Sequence, residues 1–201
     1  HAVSVALPRW EDVIAYEEKV PACLNSLKAI YPRFGFNPFV AELALKSLAF
    51  HGESQQSSWP YPNSASALSA QEYCLRNNSD CFSKIEDFLG VSCLIVDLRG
   101  TSSAKAFWQH TGLGLSSREA AIALGKEKKP LTSDGHCARD ELLKRLADIY
   151  NCDHRLVRLY RSGMAALTTT LSAIKYIKGN NPTLQIGFPY VDVLKLPQII
   201  F

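Results

Sequence analysis

The stretch VRLYRSGMAALTTTLSAIKYI, residues 157–177, holds the residue types whose spacing points most directly to chemistry. Arg161-Ser162-Gly163 interrupts an apolar-leaning stub, and Met164 opens a run of small and β-branched residues that reads as a helix. Two readings fit. Ser162 is a good N-cap and Gly163 tolerates a turn without a Cβ penalty, which suffices for a plain strand-to-helix junction. A glycine at a helix N-terminus also lets backbone N–H groups approach a phosphate closely, while the helix dipole favours the negative charge.

Other reactive side chains point to less. The five histidines are scattered, and His110 in FWQHTG sits where a helix ends, which suggests a contact with the C-terminal end of the helix dipole. Glu17-Glu18 reads as an acid pair or as a solvated helix face. No Gly-x-Ser-x-Gly elbow, His-Glu-x-x-His pair or phosphate-binding Lys loop occurs, which removes the commonest hydrolase, zinc-protease and nucleotidase readings. The six cysteines, Cys23, Cys74, Cys81, Cys93, Cys137 and Cys152, include no CxxC pair. Cys93 lies in the apolar run CLIV, where a reduced buried thiol is the ordinary expectation, so a reducing, cytoplasmic setting is expected. The sequon Asn77-Asn78-Ser79 would matter only in a secreted chain. Nothing resembles a signal peptide or an apolar span of bilayer length, and no membrane association is expected.

These groups must be positioned by regular elements. RWEDVIAYEE has helical spacing, with Trp10, Val13 and Ile14 on one face, and Pro21 breaks it. Asn37 to Phe50 reads as an amphipathic helix with Pro38 in its first turn. HGESQQSSWPYPNS, residues 51–64, reads as a loop, and Ser64 to Arg76 as a helix. Val91 to Gly100 is the strongest strand, an apolar run suited to a sheet covered on both faces. Helices are expected at about Ala104–His110, Ser116–Lys126 and Ala138–Tyr150, with strands near Leu156–Tyr160 and Leu184–Phe188. The alternation argues for α/β layering. Lys126, Lys128 and Lys129 read as a solvated helix end.

With 201 residues, 47% hydrophobic and 20% charged, the chain can bury a real core. A net charge of +3 is too balanced to imply nucleic acid or an anionic membrane surface as partner. The sequence opens on His1 and closes on PQIIF, and both ends read as cut.

Five blocks carry a resemblance that composition does not supply: HAVSVALPRWEDVIAYEE, YPRFGFNPFVAELA, FWQHTGLGLSSREAA, LADIY with VRLYRSGMAALTT, and IGFPYVDVLKL. In order and character they resemble the fungal-type cystathionine γ-synthases, pyridoxal-phosphate enzymes of the Cys/Met metabolism family. The resemblance implies the N-terminal portion of the aspartate-aminotransferase-like fold (fold type I), with an incomplete large domain. It implies residues 1–53 as an arm and helix, 54–131 as an additional segment that bacterial-type relatives lack, and 132–201 as the start of the cofactor domain. It implies that Gly163 and Met164 present backbone amides to the cofactor phosphate, with Ser162 capping the helix beside them. Tyr31-Pro32-Arg33 resembles an element that reaches the phosphate of a neighbouring subunit in a homo-oligomer. Tyr190, with Phe188 as the weaker choice, falls where relatives stack an aromatic on the pyridine ring. Arg161 stands where a small residue or proline commonly precedes Ser-Gly-Met, and Lys19 where a glycine commonly follows YEE.

The implied activity is γ-replacement on an activated homoserine, acyl- or phospho-substituted, by cysteine. That chemistry needs a lysine bonded to the cofactor in a Ser/Thr-rich motif and an aspartate beside the pyridinium nitrogen. None of the twelve lysines here stands in such a motif. The chain is therefore expected to be an N-terminal part that is inactive alone. A noncatalytic remnant or α/β interaction module that pairs with a full-length partner is the alternative, and a phosphate turn that is only a strand-to-helix junction is a third reading.

Overall fold

A computed structural model describes residues 9–27, 35–51, 53–129, 132–179 and 181–201. The chain divides into two compact units, one running to Gln109 and including Gly114–Leu124, the other comprising His110–Leu113 and Gly125–Phe201.

In the first unit, α1 (Trp10–Glu17) and α2 (Pro21–Ser26) meet at the expected break, and Pro21 opens α2, where its missing N–H costs no helix bond. Lys19 between them has φ 57°, the left-handed region in which a glycine is unstrained.

A three-stranded antiparallel sheet of order β1-β3-β2 follows, built from β1 (Gln56–Tyr61), β2 (Ser83–Phe88) and β3 (Val91–Asp97). β3 is the middle strand, and Cys93, Leu94, Ile95 and Val96 are all 0% exposed, as an apolar run covered on both faces requires. It stops at Asp97, not Gly100. The Asp97 carboxylate accepts the Gly100 N–H at 3.1 Å and its carbonyl accepts the Thr101 hydroxyl at 2.9 Å, so α5 (Leu98–Thr111) starts without a loop.

The segment expected as a loop at 51–64 contains β1. Its polar residues are satisfied in place: Ser58 and Ser47 Oγ lie 2.6 Å apart in the core, and Ser57 Oγ accepts from Trp59 Nε1 at 3.1 Å. Pro60 is tolerated because β1 is an edge strand, and its carbonyl accepts the Leu115 N–H at 3.1 Å. β2 joins β3 through a two-residue turn in which Leu89 and Gly90 have φ 56° and 75°. Two left-handed residues are the signature of the type I′ hairpin, whose twist matches that of its strands.

Helices α3 (Pro38–His51) and α4 (Ser64–Asn77) pack on the sheet. Asn63 caps α4 by accepting the Ser66 N–H at 2.9 Å, and Ala67, Ala70 and Cys74 are 0% exposed on one face of that helix. Ser116 and Glu119 form a reciprocal capping box at the head of α6 (Ser117–Ala123). The core joins Val40 and Leu43 of α3 to Val91 and Cys93 of β3 and to Leu115 and Ala120. Phe36 stands edge-on to Trp59 at 5.2 Å and to Trp108 at 4.7 Å, a favourable ring geometry.

The second unit is helical: α7 (Thr132–Tyr150), α8 (Gly163–Lys178) and α9 (Val191–Ile199), with a short 3₁₀ turn at His154–Leu156. The strands expected near 156–160 and 184–188 are not formed; past the 3₁₀ turn those residues are irregular. Among the described residues the only sheet is the one in the first unit, so these segments have no ladder to join. Leu184, Ile186 and Phe188 keep the alternation of a strand, and all three are exposed. The molecule is therefore α/β, as expected, but its sheet is small and antiparallel.

Candidate functional site

The site is built at the head of α8. Ser162 has extended backbone angles, its Oγ accepts the Ala165 N–H at 3.1 Å, and its carbonyl accepts the Ala166 N–H at 3.0 Å. The cap thus takes the third helical amide and the ladder takes the fourth. Gly163 and Met164 occupy the first two positions, where a helix offers no carbonyl to the N–H groups. Gly163 is exposed, and a Cβ built on it would meet nothing within 4 Å. No acidic residue lies in the first turn of α8, while Lys175 and Lys178 lie in the last, where cations complement the negative end of the dipole. Arg161, just before the cap, is exposed.

Behind this turn stands Gly112. Its φ is +66°, and a Cβ there would lie 2.7 Å from Ser162 Oγ, 2.8 Å from Met164 Cβ and 2.9 Å from Ala165 N. Only a residue without a side chain fits, so the main chain of Gly112 lies against the back of the turn. The two residues before it are also engaged. Thr168 of α8 donates its hydroxyl to the Thr111 carbonyl at 2.9 Å, and Thr111 is 0% exposed. His110 Nδ1 lies 3.0 Å from Asp192 Oδ1, with the two residues 8% and 2% exposed. The sequence placed His110 at a helix end, and it does sit in the last turn of α5, but it is tied to a carboxylate.

Tyr190 is the N-cap residue of α9, two positions before Asp192, and is 46% exposed. Phe188 follows Gly187, whose φ is 104°, and is fully exposed. Ser162, Gly163 and Met164 are thus brought together at one helix terminus, and Tyr190 heads the neighbouring helix. Tyr31 and Arg33 lie outside the described residues. Sequence reasoning missed Gly112, Thr111 and Asp192; a glycine directly after the last helical residue of HTG is the usual mark of a left-handed C-terminal residue, and that signal was available. Among the described residues no group of three or more His, Cys, Asp or Glu could hold a metal ion. None of the described helices is long and apolar enough to cross a membrane.

Comparison with known proteins bears on this arrangement. Residues 39–116 match the family described as fungal trans-sulfuration enzyme, N-terminal domain. A cystathionine gamma-synthase of Saccharomyces cerevisiae is 28% identical over 142 residues, covering 62% of this chain and 22% of that protein. A cystathionine gamma-synthase of Neurospora crassa is 26% identical over 174 residues, covering 73% and 27%. The L-2-amino-4-chloropent-4-enoate dechlorinase/desaturase of Streptantibioticus cattleyicolor is 27% identical over 207 residues, covering 98% and 41%. The chain thus spans between about a fifth and two-fifths of the length of these curated relatives. No solved structure matches it.

Proposed function

We propose, from the match of residues 39–116 to the N-terminal domain of fungal trans-sulfuration enzymes, that this chain supplies the phosphate end of a pyridoxal-phosphate site. The parent enzyme acts on 2-amino acids with a leaving group at C4. Both kinds of substrate implied by the relatives share that feature: an activated homoserine carries its leaving group at C4, and so does a 2-amino-4-chloropentenoate. The finer assignment is γ-replacement by cysteine to give cystathionine. When bound, pyridoxal phosphate is the electron sink for such chemistry.

The observation that carries the reading is the open turn at Gly163, backed by a glycine that no side chain can replace. The residues fit a phosphate. The Gly163 and Met164 amides point from the first turn, Ser162 holds that turn in place without needing to reach the ligand, and the sixteen-residue helix adds the positive end of its dipole. Tyr190 offers an aromatic face on the adjacent helix for the pyridine ring, and Phe188 is the second choice. Tyr31 and Arg33 are assigned to the phosphate of a neighbouring subunit, where a guanidinium fork would offset the dianion. Residues 54–131 are assigned to a family-specific segment and 132–201 to the start of a fold type I cofactor domain. With none of the twelve lysines in the required motif, these 201 residues bind and orient but do not perform the replacement.

Pyridoxine 5′-phosphate tests the site, because it carries the phosphate and ring but cannot bond to surface lysines. It should bind the chain at least tenfold more tightly than pyridoxine, since a charge-assisted phosphate contact is worth about 1.5–3 kcal/mol. Gly163→Asp, an acceptable residue at a helix start, should abolish that difference by placing a carboxylate where the phosphate sits. Equal affinity for the two ligands, or an unaffected Gly163→Asp chain, would contradict the reading.

A further inference from the structure

We propose that His110-Thr111-Gly112 is the strap that sets the two halves of this site against each other. Gly112 fixes the phosphate turn, and the buried His110–Asp192 pair fixes the helix that carries Tyr190. The inference rests on the cofactor reading above and goes beyond it by assigning positioning residues that no phosphate motif contains.

Three consecutive residues each grip a different point. The main chain of Gly112 lies against Ser162, Met164 and Ala165, so the cap and the second amide cannot retreat from the ligand side. The Thr111 carbonyl takes the hydroxyl of Thr168, one and a half turns into α8, which fixes the helix lengthwise. His110 holds the Asp192 carboxylate at 3.0 Å in the first turn of α9. That bond, two residues into the helix that Tyr190 heads, supplies a fixed point for its start. Neither His110 nor Asp192 is exposed enough to touch a ligand at the turn. Their work is indirect: a ring face and a phosphate cradle must be held at one separation to grip the two ends of one rigid cofactor.

The pair and the glycine therefore have separable effects. Inorganic phosphate reports on the turn alone, and pyridoxine 5′-phosphate reports on turn and ring together, both on the full 201-residue chain. Gly112→Ala should lose both ligands, because its Cβ would occupy the space of Ser162 Oγ. Asp192→Ala should keep inorganic phosphate within about twofold and bind pyridoxine 5′-phosphate threefold to tenfold more weakly, roughly the worth of one aromatic stacking contact. Asp192→Asn, which keeps an oxygen for His110, should restore most of it. If Asp192→Ala loses its native circular dichroism, the same ratio is read on His110→Gln, which lacks a nitrogen at the Nδ1 position, against His110→Asn, which keeps one. An unchanged ratio in the disrupting variant, a failed conservative rescue, or phosphate binding by Gly112→Ala would overturn the strap while leaving the phosphate turn standing. A wild-type chain that binds neither ligand would overturn the cofactor reading, and the strap with it.

Discussion

Burial pushes the Cys74 thiol up to about 12, and the neighbouring Cys81 adds to the rise. Burial also raises Cys81 and Cys93, most of all by desolvation of the thiolate. A folded-state value above the unfolded one stabilises the fold below the unfolded pKa and withdraws that contribution as pH climbs. The urea midpoint should therefore hold steady to about pH 9 and fall between pH 9 and pH 12. At pH 8 a thiol reagent should label Cys137 and Cys152, which are exposed, and leave Cys74, Cys81 and Cys93 until the chain unfolds. Rapid labelling of the buried three would refute this burial. Cys93 was legible in sequence because the apolar run CLIV announces it, and Ser162 and Gly163 because a cap followed by glycine precedes a periodic run. Gly112 was legible only as the left-handed residue that ends a helix; that no side chain fits there comes from a helix far along the chain whose backbone approaches it, and no local pattern records that contact.

The same contrast holds for elements. α3, α4 and α8 were legible, since each couples a cap or first-turn proline to a helical repeat. α5 starts earlier than its apolar pattern suggests because Asp97 ends the strand and begins the helix at once. β1 reads as a loop by composition, and only its pairing with β3, Trp59 against Leu94 and Pro60 against Cys93, makes it a strand. β2 lacks the usual hairpin signal, because its turn is Leu89-Gly90 where Asn-Gly is favoured. Leu89→Asn should therefore raise stability by about 1 kcal/mol, read as a higher urea midpoint with unchanged slope, since Asn accepts the left-handed angles more readily and Leu89 gains little from burial at 54% exposed. A lower midpoint would mean that the turn differs from the one described. At the other extreme, Leu43→Ala in α3 should cost about 2–5 kcal/mol, because the side chain is wholly buried among Val40, Val91 and Leu115.

For the molecule as a whole, the second unit carries five large apolar side chains that are all more than 70% exposed, Tyr176, Ile177, Leu184, Ile186 and Phe188. The 201-residue chain should self-associate as its concentration rises and should bind a hydrophobic dye, both reduced by Ile186→Lys; a monodisperse chain without dye binding would count against that surface. Purified from host enzymes and supplied with pyridoxal phosphate, an O-acylhomoserine and cysteine, it should form no cystathionine, and turnover would show that the lysine reading is wrong. The central claim is narrower than activity: the amides at the head of α8 receive the cofactor's phosphate. Its most direct measurement is a ¹⁵N–¹H titration of the chain with pyridoxine 5′-phosphate. The account predicts that the Gly163 and Met164 amide protons move downfield, saturably and together, with pyridoxine itself leaving them in place. Saturable shifts confined to other residues, with Gly163 and Met164 unmoved, would contradict it.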